Sequence, residues 1–470
     1  MDKSKTLGSA KISTLLWKFS VPAIIGMLVN ALYNVIDRIF IGQGVGKIAL
    51  AGLAITFPIS TIIMAFGMLV GIGASTLVSI KLGEKRKDEA EQILGTAVLL
   101  DIILSIFIGI LGIVFINPVL RIFGASSESL PYAREYIVII LAGAAFQNIG
   151  FGINNIIRSE GNPKMAMRTM IVGGLLNMVL DPIFIFKHIK IGIISFTGLG
   201  LGIKGAAIAT VISQTVNTIL VMHYFLSKTS GSILKLKKSS FKFNKKILLQ
   251  IFSIGLSPFS MQLAASAVSA FYNKGLLKYG GDIAVAAMGI IASIVMIIFM
   301  PIFGINQGVQ PILGYNYGAK SYKRVKDALK LAVYSGVLIA SIGFIAVEFF
   351  PEFLISLFSK NDMDLIKLGA HGLRIDLMFL PIIGYQIVAS NYFQAIGKAK
   401  ISIFLSFLRQ VIVLIPIIII LPRFLKLDGL WFSQPIADIV AALITGYFLY
   451  KDIKELNHLE IYEKNKKSLE

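Results

Sequence analysis

Cysteine is missing altogether from the 470 residues, and only 15% of them are charged, against about a quarter in soluble domains. The first absence excludes disulfides and thiolate metal centres, and the second excludes an ordinary water-soluble fold. Acidic residues are scarce too, 25 against 45 lysines and arginines, which leaves a formal charge of +20. The four histidines, His188, His223, His371 and His458, have no zinc-ligand spacing. Gly42-Gln43-Gly44-Val45-Gly46-Lys47 has the lysine of a phosphate loop, but Ile41 stands where its first glycine belongs and Ile48 where Ser or Thr should follow. An ATP-driven pump is therefore excluded. No nucleophile, base or metal constellation marks an intramembrane enzyme, and no cofactor is expected.

What is present is apolar, 56% of the chain, in runs longer than the ~20 residues a bilayer span needs. They predict an all-α membrane protein of twelve helices at roughly 14–41, 48–81, 92–116, 128–158, 165–186, 203–227, 245–278, 283–315, 325–350, 364–396, 400–421 and 430–450. Several exceed the minimum, so they are expected to tilt, kink or project beyond the headgroups. The first apolar segment is too long for a removable signal peptide and lacks its small-residue cleavage site. Most lysines and arginines fall on the termini and on loops that face inward if the amino terminus does, which puts both termini in the cytoplasm. The densest basic patch is the linker 228–246, with seven lysines. It is expected to be a solvated tether against anionic lipid, with no nucleic-acid partner.

Two copies of one unit account for the layout. Phe19-Ser20 and Pro22 answer to Phe252-Ser253 and Pro258, Tyr33-Asn34 to Tyr272-Asn273, Gly71-Ile72 to Gly304-Ile305, and Gly83 with Lys85 and Arg86 to Gly318 with Lys320. Further on, Glu160-Gly161-Asn162-Pro163-Lys164 meets Ile396-Gly397-Lys398-Ala399-Lys400. The repeat divides the chain into a first six-helix lobe, 1–227, the linker 228–246, and a second lobe with a cytoplasmic tail, 247–470. Repeats of this size in an apolar chain point to a transporter.

Ionisable groups at membrane depth cost about 2.5 to 3.5 kcal/mol each at a helix centre and so mark function. Asp37, Asp101, Asp181, Asp376 and Asp438 qualify. Asp181 follows Asn177 by four residues, which stacks carboxylate and amide on one helix face, where they can hold a proton or a cation such as sodium; a helix-end acid beside Pro182, meeting water, is the alternative. Asp37 stands 15 residues, roughly 22 Å of helix, beyond Pro22, a residue that lets the helix bend. In the repeat, Asp37 registers with Asn273 or Leu276 and Asp181 with Ile417, all uncharged, so the scaffold itself does not need these acids. Asp376 lies two residues from Arg374, where a local ion pair competes with a transport role.

Arg158-Ser159-Glu160-Gly161-Asn162-Pro163-Lys164, Asn177, Leu180-Asp181-Pro182 and Gly202-Ile203-Lys204-Gly205-Ala206-Ala207-Ile208-Ala209-Thr210 resemble the fourth-to-sixth-helix signature of the multidrug and toxic compound extrusion (MATE) family. Phe19-Ser20-Val21-Pro22 and Tyr33-Asn34-Val35-Ile36-Asp37 resemble its first helix. The chain is most similar to the bacterial branch that holds the DNA-damage-inducible protein F type and the Gram-positive multidrug pumps. The resemblance implies a V-shaped pair of pseudo-symmetric six-helix bundles around a central cavity, and drug export by alternating access and antiport. It implies Asp37 as the coupling acid, with Asn177 and Asp181 beside it, Thr210 completing the cluster, and Tyr136 and Asn154 as further members. If the ion is Na+, then Asp37, Asn177 and Asp181 would be its ligands; if it is H+, the same groups carry the proton.

Phe57, Met64 and Met68 in the second helix and Met288, Met296 and Met300 in the eighth offer soft surface suited to varied hydrophobic, often cationic drugs; lipid-facing or core packing is the competing use. A flippase for a lipid-linked oligosaccharide is the alternative function. It favours more helices and an arginine-rich cavity, whereas few arginines, Arg38, Arg374 and Arg409 among them, lie within the expected spans. The protein is expected to work as a monomer in the inner membrane.

Overall fold

The computed structural model describes residues 3–191, 194–241, 244–358 and 362–469. Nine of its helices are long and apolar enough to cross a membrane, two further spans are bent pairs, and the longest helix, Lys245–Gly318, breaks at Gly281 into two spans. The chain is thus a multi-pass membrane protein of twelve spans, as its apolar runs predict. They are numbered here in chain order: Ile12–Gly44, Lys47–Gly83, Lys87–Val114, Leu130–Ala142 with Ala144–Ser159, Pro163–Ile185, Ile203–Leu226, the two arms of Lys245–Gly318, Tyr322–Phe349, Met363–Asp376 with Leu380–Ala395, Ala399–Ile420, and the span inside Pro422–Leu469.

The fourth span bends by 55° and the tenth by 50°. In the tenth, Pro381 cannot donate to the preceding turn, and the helix restarts at Leu380. In the fourth, the break falls at Gly143, where a side chain would meet Val211 at 2.6 Å. The eleventh contains a π-helical turn, Leu408–Leu414.

The chain folds as two compact units. One comprises residues up to Thr6 and Ile25–Phe259, the other Leu7–Ile24 and Ser260–Glu470. The first span therefore changes unit two residues after Pro22, and the seventh changes unit one residue after Pro258. In the amino-terminal unit the second and seventh spans touch backbone to backbone: a Cβ on Gly255 would lie 1.7 Å from Leu69 O, and one on Gly73 would lie 2.2 Å from Ile251 O. In the carboxyl-terminal unit Gly304 and Gly308 make room for Ile24 and Ser20. The chain start is tied down there by Arg324, which donates to Leu7 O at 3.0 Å and Ala10 O at 2.7 Å.

Three features depart from the expected plan. The loop after the fifth span carries a hairpin, His188–Ile191 paired antiparallel with Ile194–Thr197, so the described residues are not wholly helical. The last helix runs on to Leu469, far past the apolar run, because its polar end packs within its own unit on the start of the ninth span and the turn before it, through Lys326 to Glu460 at 2.8 Å and Lys320 to Glu463 at 2.8 Å.

The third departure corrects the linker. Its described part is no solvated tether. Ser232, Leu234 and Leu236 are buried at alternating positions, as in an extended strap pressed onto the amino-terminal unit, and Ser240 is buried in the short 3-10 turn that follows. Glu160 accepts from Ser232 Oγ at 2.8 Å and from the amides of Ile233 and Leu234 at 3.1 Å each. Glu91 accepts from the amide of Lys235 at 3.2 Å and from Lys237 Nζ at 2.6 Å. Buried carboxylates with strap donors as partners hold the segment in place. Lys242 and Phe243 lie outside the described residues.

Candidate functional site: a buried acid cluster in the amino-terminal unit

Asp37, Asn177, Asp181 and Thr210 are all buried. Asn177 and Asp181 share a face of the fifth span, one turn apart, and Asn177 Nδ2 donates to Asp181 Oδ1 at 3.1 Å. The second amide proton reaches Thr210 Oγ1 on the sixth span at 3.4 Å. Tyr136 of the fourth span lies beside Thr210 and close enough to Asp37 and Asp181 to feel both charges. Asp37 and Asp181 interact with each other in turn.

Small residues and backbone contacts set this register. A Cβ on Gly26 would meet Met170 at 3.0 Å and one on Gly174 would meet Val29 at 2.7 Å, so the first and fifth spans approach closely. The sixth span is zipped to the end of the fifth: the amides of Leu199, Leu201 and Gly202 donate to Ile183, Phe184 and Ile185 at 2.8, 2.9 and 3.2 Å. Gly205 then lets the backbone pass Phe184 O, 2.4 Å from where its Cβ would be. The length of the 187–202 loop is absorbed by the hairpin and leaves Thr210 opposite Asn177.

Asp37 Oδ1, Asn177 Oδ1 and Asp181 Oδ2 are buried and have no hydrogen-bond partner among the described residues. Oxygens so placed demand a proton, a cation or water. No group of three or more His, Cys, Asp or Glu able to hold a metal occurs among the described residues, so a cation here would take two carboxylates with amide and hydroxyl oxygens.

Of the residues the sequence singles out, Asn154 stands apart. It donates to Ala166 O at 3.0 Å and Thr169 Oγ1 at 2.7 Å, tying the fourth span to the fifth about 12 Å of helix from Asn177. Pro22 belongs to the other unit. Phe57 is exposed under the Arg38 guanidinium, 5.7 Å from its ring centroid; Met64 and Met68 are half-buried in the same unit. Met288 is half-buried, Met296 exposed and Met300 buried in the carboxyl-terminal unit. Tyr33, which the sequence analysis passed over, joins the cluster beside Asp37 and Asp181. Its signal was available: it precedes Asp37 by four residues, one turn on the same face.

The other membrane acids have different surroundings. Asp101 is buried against Gly152, with both oxygens lacking a partner among the described residues. Asp376 is not paired locally: Arg374 donates to Glu348 O at 3.1 Å, while Asp376 accepts from Tyr272 at 3.4 Å. Asp438 accepts from Arg409 Nε at 2.7 Å.

A twelve-span chain with an internal repeat and buried carboxyl groups inside its helices has the layout of a transporter. The MatE family pattern matches residues 22–183 and 248–420, and the chain belongs to that family, the multidrug and toxic compound extrusion transporters. It is 27% identical to the multidrug export protein MepA of Staphylococcus haemolyticus over 432 residues, 92% of each chain. It is 28% identical to MepA of Staphylococcus aureus over the same share of both. Among solved structures it resembles the MATE multidrug transporter DinF-BH in its complex with a ligand, at 40% identity, TM-score 0.85, and 93% and 95% coverage of the two chains. It also resembles a MATE in the bent conformation, at 27% identity, TM-score 0.89, and 98% and 99% coverage.

Proposed function

We propose that the protein exports hydrophobic, often cationic drugs by alternating access, in exchange for H+ or Na+ bound at the Asp37–Asp181 cluster. The observation that carries this reading is the pair of buried carboxyl groups, Asp37 and Asp181, each with an oxygen that has no partner among the described residues, beside Asn177 and Thr210. Its curated relatives carry multidrug export in their names, and one structural relative, a multidrug transporter, was solved with a ligand bound.

Loading the cluster with a proton or sodium removes charge that Asn177, Tyr136 and Tyr33 otherwise serve, and so reorders the bonds joining the first, fourth, fifth and sixth spans. The first span can answer by bending near Pro22, where it leaves one unit for the other. Phe57, Met64, Met68, Met288, Met296 and Met300 are proposed as adaptable substrate contacts, with both termini cytoplasmic and the chain acting as a monomer.

The test is ethidium export from proteoliposomes under an imposed proton gradient and, separately, a sodium gradient, in wild type, Asp37→Asn and Asp181→Asn. Export driven by one gradient and lost in both variants names the ion. Undiminished export by both variants at wild-type abundance overturns the cluster's role. No export under either gradient, from protein that keeps its fold, transfers the case to a lipid-linked oligosaccharide flippase.

A further inference from the structure

The carboxyl-terminal unit holds a second polar cluster, drawn from the equivalent spans of the repeat although its acids stand at different positions. In the amino-terminal unit the groups come from spans one, four, five and six: Tyr33 with Asp37, Tyr136, Asn177 with Asp181, and Thr210. In the carboxyl-terminal unit they come from spans seven, ten, eleven and twelve, the same four spans in the second copy: Tyr272 bonded to Asp376, and Arg409 bonded to Asp438, with Asp376 near enough to feel the charges of both Asp438 and Arg409. Tyr33 and Tyr272 register directly. Each cluster has two carboxyl groups. The difference is that the second contains a guanidinium, whereas Arg38, the basic neighbour of Asp37, lies exposed over the Phe57 ring.

We propose that Arg409 is a tethered cation, its guanidinium occupying a monovalent-cation site built by Asp438, Asp376 and Tyr272. Removing the side chain uncovers that site for a free cation, sodium or guanidinium. The comparison with a coupling site rests on the function proposed above; the site itself rests on its own geometry.

Three observations support it. Asp438 Oδ1 takes Arg409 Nε at 2.7 Å, while Oδ2 of the same fully buried carboxylate makes no close hydrogen bond among the described residues, with the Gln434 side chain beside the carboxyl, and remains able to ligate. Arg409 sits in the π-helical turn Leu408–Leu414; such turns occur frequently at functional sites, and a plain structural ion pair does not require one. A buried ion pair also tends to be no more stabilising than apolar packing of the same volume, so stability alone does not account for keeping this one. Tyr272 is held in place by donating to Leu430 O at 2.6 Å, which keeps its phenol oxygen beside Asp376.

One consequence is functional. With its second site filled by its own side chain, the protein takes its exchangeable ion at the amino-terminal cluster alone.

The experiment is thermal unfolding of the purified full chain in detergent, wild type against Arg409→Ala, in choline chloride, in sodium chloride, and in choline chloride with a low concentration of guanidinium. Arg409→Ala is expected to gain about 2 °C more than wild type from roughly 100 mM sodium, and a similar gain from guanidinium, by ordinary ligand linkage. Adding Asp438→Asn is expected to abolish the gain. A folded, monodisperse Arg409→Ala that responds no more than wild type, or a response that survives Asp438→Asn, overturns the site. Should Arg409→Ala not fold, Arg409→Ser opens the same space while keeping a small polar group and gives the same reading. Because no transport is measured, failure of the export assay and failure of this site are separate results.

Discussion

Asn177 Nδ2 stands 3.1 Å from Asp181 Oδ1 and 3.4 Å from Thr210 Oγ1, so a single amide joins the carboxylate of the fifth span to the hydroxyl of the sixth. Asn177→Leu keeps the volume, removes both bonds and leaves two buried oxygens with one partner fewer. Loss of such a buried bond costs about 1 to 3 kcal/mol, so ethidium export is expected to fall on the order of tenfold. Efflux rates at matched abundance in proteoliposomes check this. Rates equal to wild type would remove Asn177 from the working cluster.

The strap gives a second expectation. Glu160→Ala strips the strap of its Ser232, Ile233 and Leu234 bonds, and trypsin cleavage after Lys235, Lys237 or Lys238 is expected to rise about tenfold. Mass spectrometry of the fragments reads the rate. If the seven-lysine segment is cut equally fast in wild type and variant, Glu160 is not what holds it.

A pH dependence follows from the same residue. Burial pushes the Glu160 carboxyl above its ordinary value, while bonds from Tyr224, Leu234, Ser232 and Ile233 pull it back only in part. The folded protein therefore favours the protonated acid more than the unfolded chain does. The contribution of Glu160 to folding stability is fully present below the ordinary carboxylate range and is lost as pH rises through the raised value. The thermal midpoint of wild type, taken relative to that of Glu160→Gln, is expected to fall as pH rises. A difference that stays flat with pH would contradict it.

Much of this was legible in the sequence, and the remainder has physical reasons. Length and apolarity reveal a span, so the twelve runs and the break near Gly281 could be read directly. Asn177 with Asp181, and Tyr33 with Asp37, are visible as one-turn spacings. Thr210 and Tyr136 join them only through the packing of separate spans, and Asn154 looked equivalent to them until its bonds to Ala166 and Thr169 were seen. The strap was invisible because its alternation of Ser232, Leu234 and Leu236 is too short to stand out, and its partners Glu91 and Glu160 are remote in sequence. Arg409 and Asp438, 29 residues apart, give no local sign of pairing. The helical tail was missed because salt bridges, not apolar residues, hold it.

Close packing of the second and seventh spans is testable with one methyl group. Gly255→Ala places a Cβ 1.7 Å from Leu69 O, a contact that backbone must move to relieve. Overpacking of this kind costs about 1 to 3 kcal/mol or more, and folded protein is expected to be lost. Gly289→Ala, with nothing within 4 Å of the added carbon, is the control and is expected to be neutral or slightly stabilising. Yield and size-exclusion profile compare the two. A monodisperse Gly255→Ala at wild-type yield would mean that the backbones do not touch.

A carboxylate and a phenol lock the fourth and sixth spans of each half, with their places exchanged. Tyr224 of the sixth span donates to Glu160 at the end of the fourth, whereas Tyr392 of the tenth donates to Asp452 at the end of the twelfth, at 2.5 Å. Asp452 also holds Lys398, which reaches Glu455 at 2.8 Å. Asp452→Ala strands a buried phenol and takes one of two anions from Lys398. Breaking a buried pair from one side costs about 3 kcal/mol, so unfolding is expected several degrees lower. The lock has a sharper signature than that loss: Lys398→Ala combined with Asp452→Ala should cost less than the sum of the two, by about 1 kcal/mol or more, because the first change has already broken the bond that the second removes. Strict additivity in the thermal or denaturant midpoints would show that Lys398 and Asp452 are neighbours without being partners.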